Sequence, residues 1–490
     1  MKKRILIVSD SIKRKTGYAT VAKNLIKNLL TTNKYEIAQL GLADFNEPTP
    51  LPIKYYSGIK IHQGCCPKGA AMEYSEPGKP TIYIDMDPFV QPCIDQKPCI
   101  KGMPSPKDAY AYQSVFFVIN HYKPDIVISI NDIWGLYNIV HLQTRKNFKF
   151  IPYLAIDSEC MFPQISPVDA SLGLPPIDPI HTLANSDEVI VFTDWAQEVI
   201  NKVPKILKRE LKEPLKLRTI PHGVDTSIWS SLPNKKELRE KYFNIKDDVF
   251  LIGSVARNQP RKRLDAILQT MRYFIDNFEN KAGKKIMCYF HCALEDKMGW
   301  NLEWLAQYYD VHDRCIFNDK LQPGQGPNDY TLNEMVNCFD VHLSLTNSEG
   351  WHLPALETCA AGIPNILTDY SAHKDWGKGV IIPVKVAVFR HEEKTGFVKA
   401  DADIKHAAHQ LKLLYNSPKL VELYKAKGIE LGKKLDWKNV CKQWEELLDS
   451  IDISDLDVNR YNILKLDHNN LVIPVFPEDP TTEEFELMEL

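Results

Sequence analysis

Four side chains in this sequence are best suited to act together on a charged, hydroxylated ligand. Arg257 and Lys262 stand five residues apart in the run Arg257-Asn-Gln-Pro-Arg-Lys262-Arg, and Glu349 and Glu357 stand eight apart. A guanidinium offers a planar fork and an ammonium a mobile point charge, a combination that suits a diphosphate. Glutamates repel phosphate, so Glu349 and Glu357 are expected to address neutral hydroxyls, with a sugar and a ribose as natural candidates. Each pair taken alone also reads as a solvated surface: a basic helix start, or a Glu beside an ordinary cap.

The elements that must position these residues are legible. An apolar alternating run over 341–345 reads as a buried strand. Ser348, Glu349 and Gly350 break it, and Pro354 is tolerated in a first helical turn, where its missing N–H is not needed. Leu353, Leu356, Cys359 and Ala360 repeat at helical spacing, Gly362 is placed to end the helix, and 363–367 reads as the next strand. The polar loop therefore sits at the carboxyl end of a strand in a βαβ unit, where open α/β sheets bind ligands. Backbone amides of Gly350, Trp351 and His352 point out of the helix start, which favours an anion. Likewise Arg257 and Lys262 fall between a strand over 249–255 and a helix over 264–274.

The run from Glu349 to Glu357 followed by Ala-Ala-Gly-Ile-Pro resembles the nucleotide-sugar site of the family-4 glycosyltransferases, retaining enzymes of the two-domain GT-B fold. The resemblance implies an α/β protein with two Rossmann-like domains facing across a cleft and a C-terminal helix crossing back to the first domain. It places Glu349 near the donor sugar and Glu357 on the ribose. Arg257 and Lys262 match the pair that stabilises the departing diphosphate. Gly350, Trp351, His352 and Leu353 match the donor-binding loop. Gly17, in the loop Lys13-Arg-Lys-Thr-Gly17, matches a glycine that faces the diphosphate, although it reads equally as a turn glycine. Asp157 stands where the family commonly has a histidine touching the donor sugar; it could bind a sugar hydroxyl, help position the acceptor, or cap a turn. Pro221-His222-Gly-Val-Asp225 is similar to the signature at the domain junction, and Thr395-Gly-Phe-Val398 to one before the terminal helices. The likeness is closest over 249–437 and absent from the irregular stretch 46–106 and from the tail.

At 490 residues the chain is long enough for two domains. The expected division is 1–235 for an acceptor-side domain with an insertion at 46–106, 236–435 for the nucleotide-sugar domain, 436–452 for the crossover helix and 453–490 for an acidic, extended tail. A net charge of −3 gives no strong nucleic-acid signal. No apolar run reaches membrane-spanning length. The opening Met-Lys-Lys-Arg-Ile-Leu-Ile-Val-Ser-Asp has too short an apolar part for a signal peptide and reads as a first strand. Eleven cysteines are scattered, with Cys288, Cys315, Cys338 and Cys359 inside apolar patterns, which suits reduced thiols in a cytoplasm. Cys65, Cys66, Cys93 and Cys99 cluster with spacings unlike those of common zinc modules. Asp85-Met-Asp87 reads as a turn.

Along the first half, strands are expected at 4–9, 36–42, 125–130, 150–156, 188–193 and 217–220. Helices are expected at 18–30, capped by Thr16, at 108–122, and from Trp195, capped by Asp194. The proline-rich 162–179 reads as a lid or acceptor loop, and 232–248 as the linker. The function expected from the resemblance is transfer of a hexose from a nucleotide diphosphate sugar, with UDP-glucose as the default donor, no cofactor or metal required, and an unknown acceptor. The alternative is a sugar-nucleotide-binding interaction protein of the same fold that no longer transfers. A phosphorylase of this fold lacks any pyridoxal-lysine context in the sequence.

Overall fold

In the computed structural model the described residues are 2–42, 51–57, 71–75, 82–85, 114–159, 179–279 and 283–456, except 141, 143–144, 209–210, 212, 247, 295, 297–298, 319–320, 322–325 and 394–395. The Asp85-Met-Asp87 turn beyond Asp85, the start of the 108–122 helix, all of the 162–179 loop but Pro179, the cysteine cluster at 65–99 and most of the tail lie outside them.

Two sheets carry the chain. The first has strands β1 (Lys3–Asp10), β2 (Tyr35–Leu42), β3 (Lys54–Ser57), β4 (Ala71–Ser75), β5 (Ile82–Asp85), β6 (Ile126–Asn131), β7 (Lys149–Leu154), β8 (Val189–Val191) and β9 (Leu217–Thr219). Their order is β5-β4-β3-β2-β1-β6-β7-β8-β9. Pairings from β3 through β9 are parallel, while β4 and β5 add an antiparallel extension from within the 46–106 insertion. The second sheet has β10 (Val249–Val255), β11 (Lys285–His291), β12 (Cys315–Phe317), β13 (Val341–Ser344), β14 (Asn365–Thr368) and β15 (Ile382–Val384), all parallel, in the order β12-β11-β10-β13-β14-β15. A ribbon of β16 (Val386–His391) and β17 (Val398–Ala402) follows. Central strands are buried along their length, β6 and β10 completely, as sheets covered by helices on both faces require.

Local chemistry explains the element ends. The Gly17–Thr31 helix begins where the Thr16 side chain accepts from Ala19 N. The Asp194–Ile206 helix is capped by Thr193, whose hydroxyl accepts from Ala196 N; Asp194 is its first residue, where a carboxylate favours the helix dipole, rather than the cap expected from sequence. Gly362 follows the Leu353–Ala360 helix at φ +78°, the left-handed geometry that a stop requires.

The last helix, Trp437–Ser450, returns to the first sheet. Lys3 Nζ donates to Leu448 O at 2.6 Å and to Ile451 O at 2.8 Å, capping the helix end, and Tyr35 Oη donates to Asp449 Oδ1 at 2.7 Å. At the junction Trp437 N donates to Val224 O at 3.1 Å. A Cβ on Gly223 would come 2.6 Å from Trp437 Cδ2, so only glycine fits there. Among the described residues no helix is long and apolar enough to cross a membrane.

Candidate functional site

The site grows out of the carboxyl ends of β10 and β13. After β10 the chain makes a short 3-10 turn, Pro260–Lys262, and Arg263 takes a left-handed conformation (φ 47°) before the Leu264–Asn277 helix. This reversal turns Arg261 and Lys262 toward the loop that follows β13. Asn347 N donates to Arg261 O at 3.0 Å, as does Thr346 Oγ1, so the two loops are fastened backbone to backbone.

Glu349, 4% exposed, is the hub. Its Oε1 accepts from Lys262 Nζ, its Oε2 from Arg261 Nη1 at 2.9 Å, and its own N–H donates to Ser371 Oγ at 2.9 Å. Burial alone would raise the Glu349 carboxyl, but the charges of Arg261 and Lys262 outweigh it and hold the group well below the usual carboxylate range. Burial, reinforced by the Arg261 charge, pulls Lys262 down to about 8. One carboxylate thus faces two cations, leaving an excess positive charge beside the start of the Leu353–Ala360 helix. Among the described residues the amides of Gly350, Trp351 and His352 donate to no protein acceptor. Free amides, a helix start and surplus cationic charge together make an anion site.

Arg257 stands apart from this hub. Its side chain is 56% exposed and its Nε donates to Asp296 Oδ2 at 2.7 Å. Arg257 therefore does not lie beside Lys262 at the hub: the left-handed Arg263 turns Arg261 inward there. Glu357 is one helical turn into the Leu353–Ala360 helix; its carbonyl accepts from Ala361 N at 3.0 Å, and among the described residues its carboxyl makes no hydrogen bond or ion pair. Burial, with a smaller contribution from Asp329, pushes its carboxyl up to about 8, so it is protonated at neutral pH and can donate as well as accept.

Trp351 and His352 contribute backbone to the loop while their side chains are buried. Trp351 packs edge-on to His222 at 5.6 Å, and its carbonyl accepts from Trp376 Nε1 at 2.9 Å. His352 is left-handed (φ 78°), and its Nδ1 lies 2.8 Å from His373 Nε2. His373 Nδ1 is 3.1 Å from the Thr368 carbonyl, which can only accept. His373 therefore donates from Nδ1, accepts from His352 Nδ1–H, and leaves His352 Nε2 as a buried acceptor without a partner among the described residues. Burial holds both rings neutral, His373 at about 4.

The first domain faces this loop closely. A Cβ on Gly17 would lie 3.8 Å from Leu353 Cδ1, and one on Gly350 would lie 3.1 Å from Ala155 Cβ. Lys15 Nζ donates to Gly326 O. Tyr18 Oη donates to Asp132 Oδ1 at 2.7 Å. Burial, aided by nearby Asp157, pushes Asp132 up to about 6, against the lowering effect of that hydrogen bond. Asp157 follows β7 and reaches second-domain Ser348 Oγ at 3.4 Å. His222 belongs to the core: 3% exposed, with Nδ1 2.7 Å from Tyr153 Oη, its proton affinity lowered by burial to about 3.

Six predicted residues (Lys262, Glu349, Gly350, Trp351, His352 and Leu353) come together, with Gly17 and Asp157 across from them and Glu357 one turn deeper. Arg261, His373, Tyr18 and Asp132 were assigned no site role from the sequence. Arg261 carried a sequence signal, as a second cation beside Lys262 that left open which one faces inward, and Asp132 carried one as a residue at the carboxyl end of a strand. Among the described residues no group of three or more His, Cys, Asp or Glu is arranged to hold a metal ion.

No protein-family model matches the chain. It is 30% identical over 154 residues to the O-antigen biosynthesis glycosyltransferase WclY of Escherichia coli, a match covering 31% of this chain and 38% of that relative. The chain thus spans well under half the length of the curated relative it matches. Among solved structures it is similar to sucrose-phosphate synthase of Thermosynechococcus elongatus, with a TM-score of 0.58 and 15% identity over 91% of this chain and 98% of that one. It is also similar to Anabaena HepE in complex with UDP and glucose, with a TM-score of 0.60 and 10% identity over 92% and 100%. The fold is GT-B, two Rossmann-like domains across a cleft.

Proposed function

We propose that this protein is a glycosyltransferase that takes a sugar from a nucleotide diphosphate sugar and transfers it to a hydroxyl-bearing acceptor. The observation that carries this reading is the hub at Glu349: two cations, three free amides and a helix start converge at the carboxyl ends of the second sheet, facing the first domain. The partial match to WclY and the fold shared with HepE, solved with UDP and glucose, support it.

In this reading Lys262 and Arg261 stabilise the negative charge that develops on the diphosphate as the sugar leaves, with the amides of Gly350, Trp351 and His352 adding neutral donors. Preorganised charge of this kind is commonly the largest catalytic contribution. Exposed Arg257, at the same strand end, exchanges Asp296 for an outer phosphate oxygen. Glu349 keeps the two cations in place and offers its remaining lone pairs to sugar hydroxyls. Protonated Glu357 addresses the ribose. Asp157 and Asp132 present acceptors from the first domain. The family likeness adds retention of configuration, with attack on the face the diphosphate leaves and the acceptor proton passing to the departing phosphate; no metal is needed for that step. Glucose on UDP is the default donor. The six free cysteines among the described residues, five of them buried, support a reducing, cytoplasmic setting.

Lys262→Ala tests the reading. The variant should fold, by circular dichroism, and should transfer from none of a panel of UDP-, GDP- and ADP-sugars that the unaltered protein uses. Normal turnover in the variant overturns the assignment. Binding without any turnover by the unaltered protein, even slow donor hydrolysis, points instead to a sugar-nucleotide-binding module.

A further inference from the structure

A second polar network spans the cleft beside the Glu349 hub. Lys399 lies on β17 and is 5% exposed, although lysine is almost never buried without partners. Its ammonium donates to Ser348 Oγ of the second domain at 2.9 Å and to Ser158 Oγ of the first at 3.0 Å. Both hydroxyls pass their own protons on: Ser158 Oγ donates to Asp157 Oδ1 at 3.0 Å, and Ser348 Oγ to Asp157 Oδ2 at 3.4 Å. The ammonium itself is 3.7 Å from Asp157 Oδ2. Donor directions are consistent round the ring, from cation through each hydroxyl to the carboxylate. The strand is tied to both domains, with Ala400 N donating to Asn347 O at 3.0 Å and Val398 N to Glu159 O at 3.4 Å.

A free carboxylate at Asp157 would be a problem for the function proposed above. The side chain is 31% exposed on the first-domain wall, opposite the anion site, where it would repel a diphosphate. We propose that Lys399 is a positioning residue that reaches across the cleft, neutralises Asp157 and thereby lets the closed cleft accept the diphosphate. The part concerning the ligand rests on the transferase reading; the pairing itself does not. Buried ion pairs behave asymmetrically: removing one partner leaves an uncompensated charge, while removing both is mild.

That asymmetry sets the experiment, a cycle of Lys399→Met, Asp157→Asn and the double variant in the full chain. In ligand-free thermal melting, Lys399→Met should lower the midpoint, and adding Asp157→Asn should recover at least half of the loss. Strictly additive losses overturn the pairing, whatever the protein catalyses. In calorimetric titration with UDP, GDP and ADP, Lys399→Met should weaken binding of the preferred nucleotide about tenfold, the scale of one uncompensated charge at cleft distance. The double variant should return most of that affinity. A nucleotide affinity unchanged by Lys399→Met, in a protein whose melting cycle shows the coupling, reduces Lys399 to a structural tie and overturns its role toward the ligand. Failure of the unaltered protein to bind any of the three nucleotides sinks the transferase reading, and the ligand role with it, while the melting cycle still decides the pairing.

Discussion

The two walls of the cleft are built on opposite electrostatic plans. On the second-domain wall Arg261 and Lys262 close on Glu349, so the cations outnumber the acid and all three are held by short contacts. On the first-domain wall Tyr18, Asp132 and Asp157 gather acceptors, and Asp132 is pushed toward neutrality by burial and by Asp157. One wall suits an anion; the other suits hydroxyls. A donor diphosphate and an acceptor alcohol need that division, and Lys399 crosses it where the acidic wall would otherwise face the anion.

The contrast can be broken by substitution, most severely at the hub. Glu349→Ala leaves Lys262 buried and half-exposed Arg261 beside it without their acid, and should cost about 3 kcal/mol of stability, read by chemical denaturation; a loss below about 1 kcal/mol would show that the cations have other partners. Lys262→Ala should lower kcat on the preferred donor about 100-fold or more with the fold intact, as for loss of one preorganised donor to a developing anion. Arg261→Ala should harm kcat/KM about tenfold more than Arg257→Ala, because Arg261 is pinned in the hub and Arg257 is exposed. The reverse ranking would restore Arg257 as the inward cation. Smaller still is Glu357→Gln. Glu357 ionises near 4.5 in the unfolded chain and near 8 in the folded one. Between those values only the folded state holds the proton, so its stability falls as pH rises and the full penalty is present above 8. Glu357→Gln should therefore raise the melting temperature at pH 8, by about 1 kcal/mol of stability after allowance for partial exposure, and change nothing at pH 4. The same two groups set a pH dependence: as Lys262 loses its proton and Glu357 gains charge, nucleotide affinity should decline above about pH 8, read by titration calorimetry.

What could be read in advance follows the same division. The second wall was legible because its parts are local: strand, polar loop, capped helix and a cation pair sit within short spans at 257–262 and 349–357. The choice of Arg261 over Arg257 was not, because it depends on the left-handed Arg263, a conformation that an arginine does not advertise. His373 and Lys399 escaped notice because each meets its partner only after the chain folds: His373 joins His352 from 21 residues away, and Lys399 joins Ser158 from 241. Asp194 was read as a cap because Asp and Thr are both good caps in adjacent positions, and backbone geometry chose Thr193. Most strands of both sheets were found from apolar runs, with ends shifted by a residue or two; β3, β4 and β15 were not expected. The antiparallel β4–β5 extension was read only in part, because the irregular stretch around it hides which islands pair.

A crystal of the unaltered protein grown or soaked with UDP tests the central claim most directly. The account predicts both phosphates at the start of the Leu353–Ala360 helix, within hydrogen-bond reach of Lys262 Nζ and of the amides from Gly350 to His352. Well-ordered nucleotide bound elsewhere, with the Arg261–Glu349–Lys262 hub undisturbed and untouched, would contradict it.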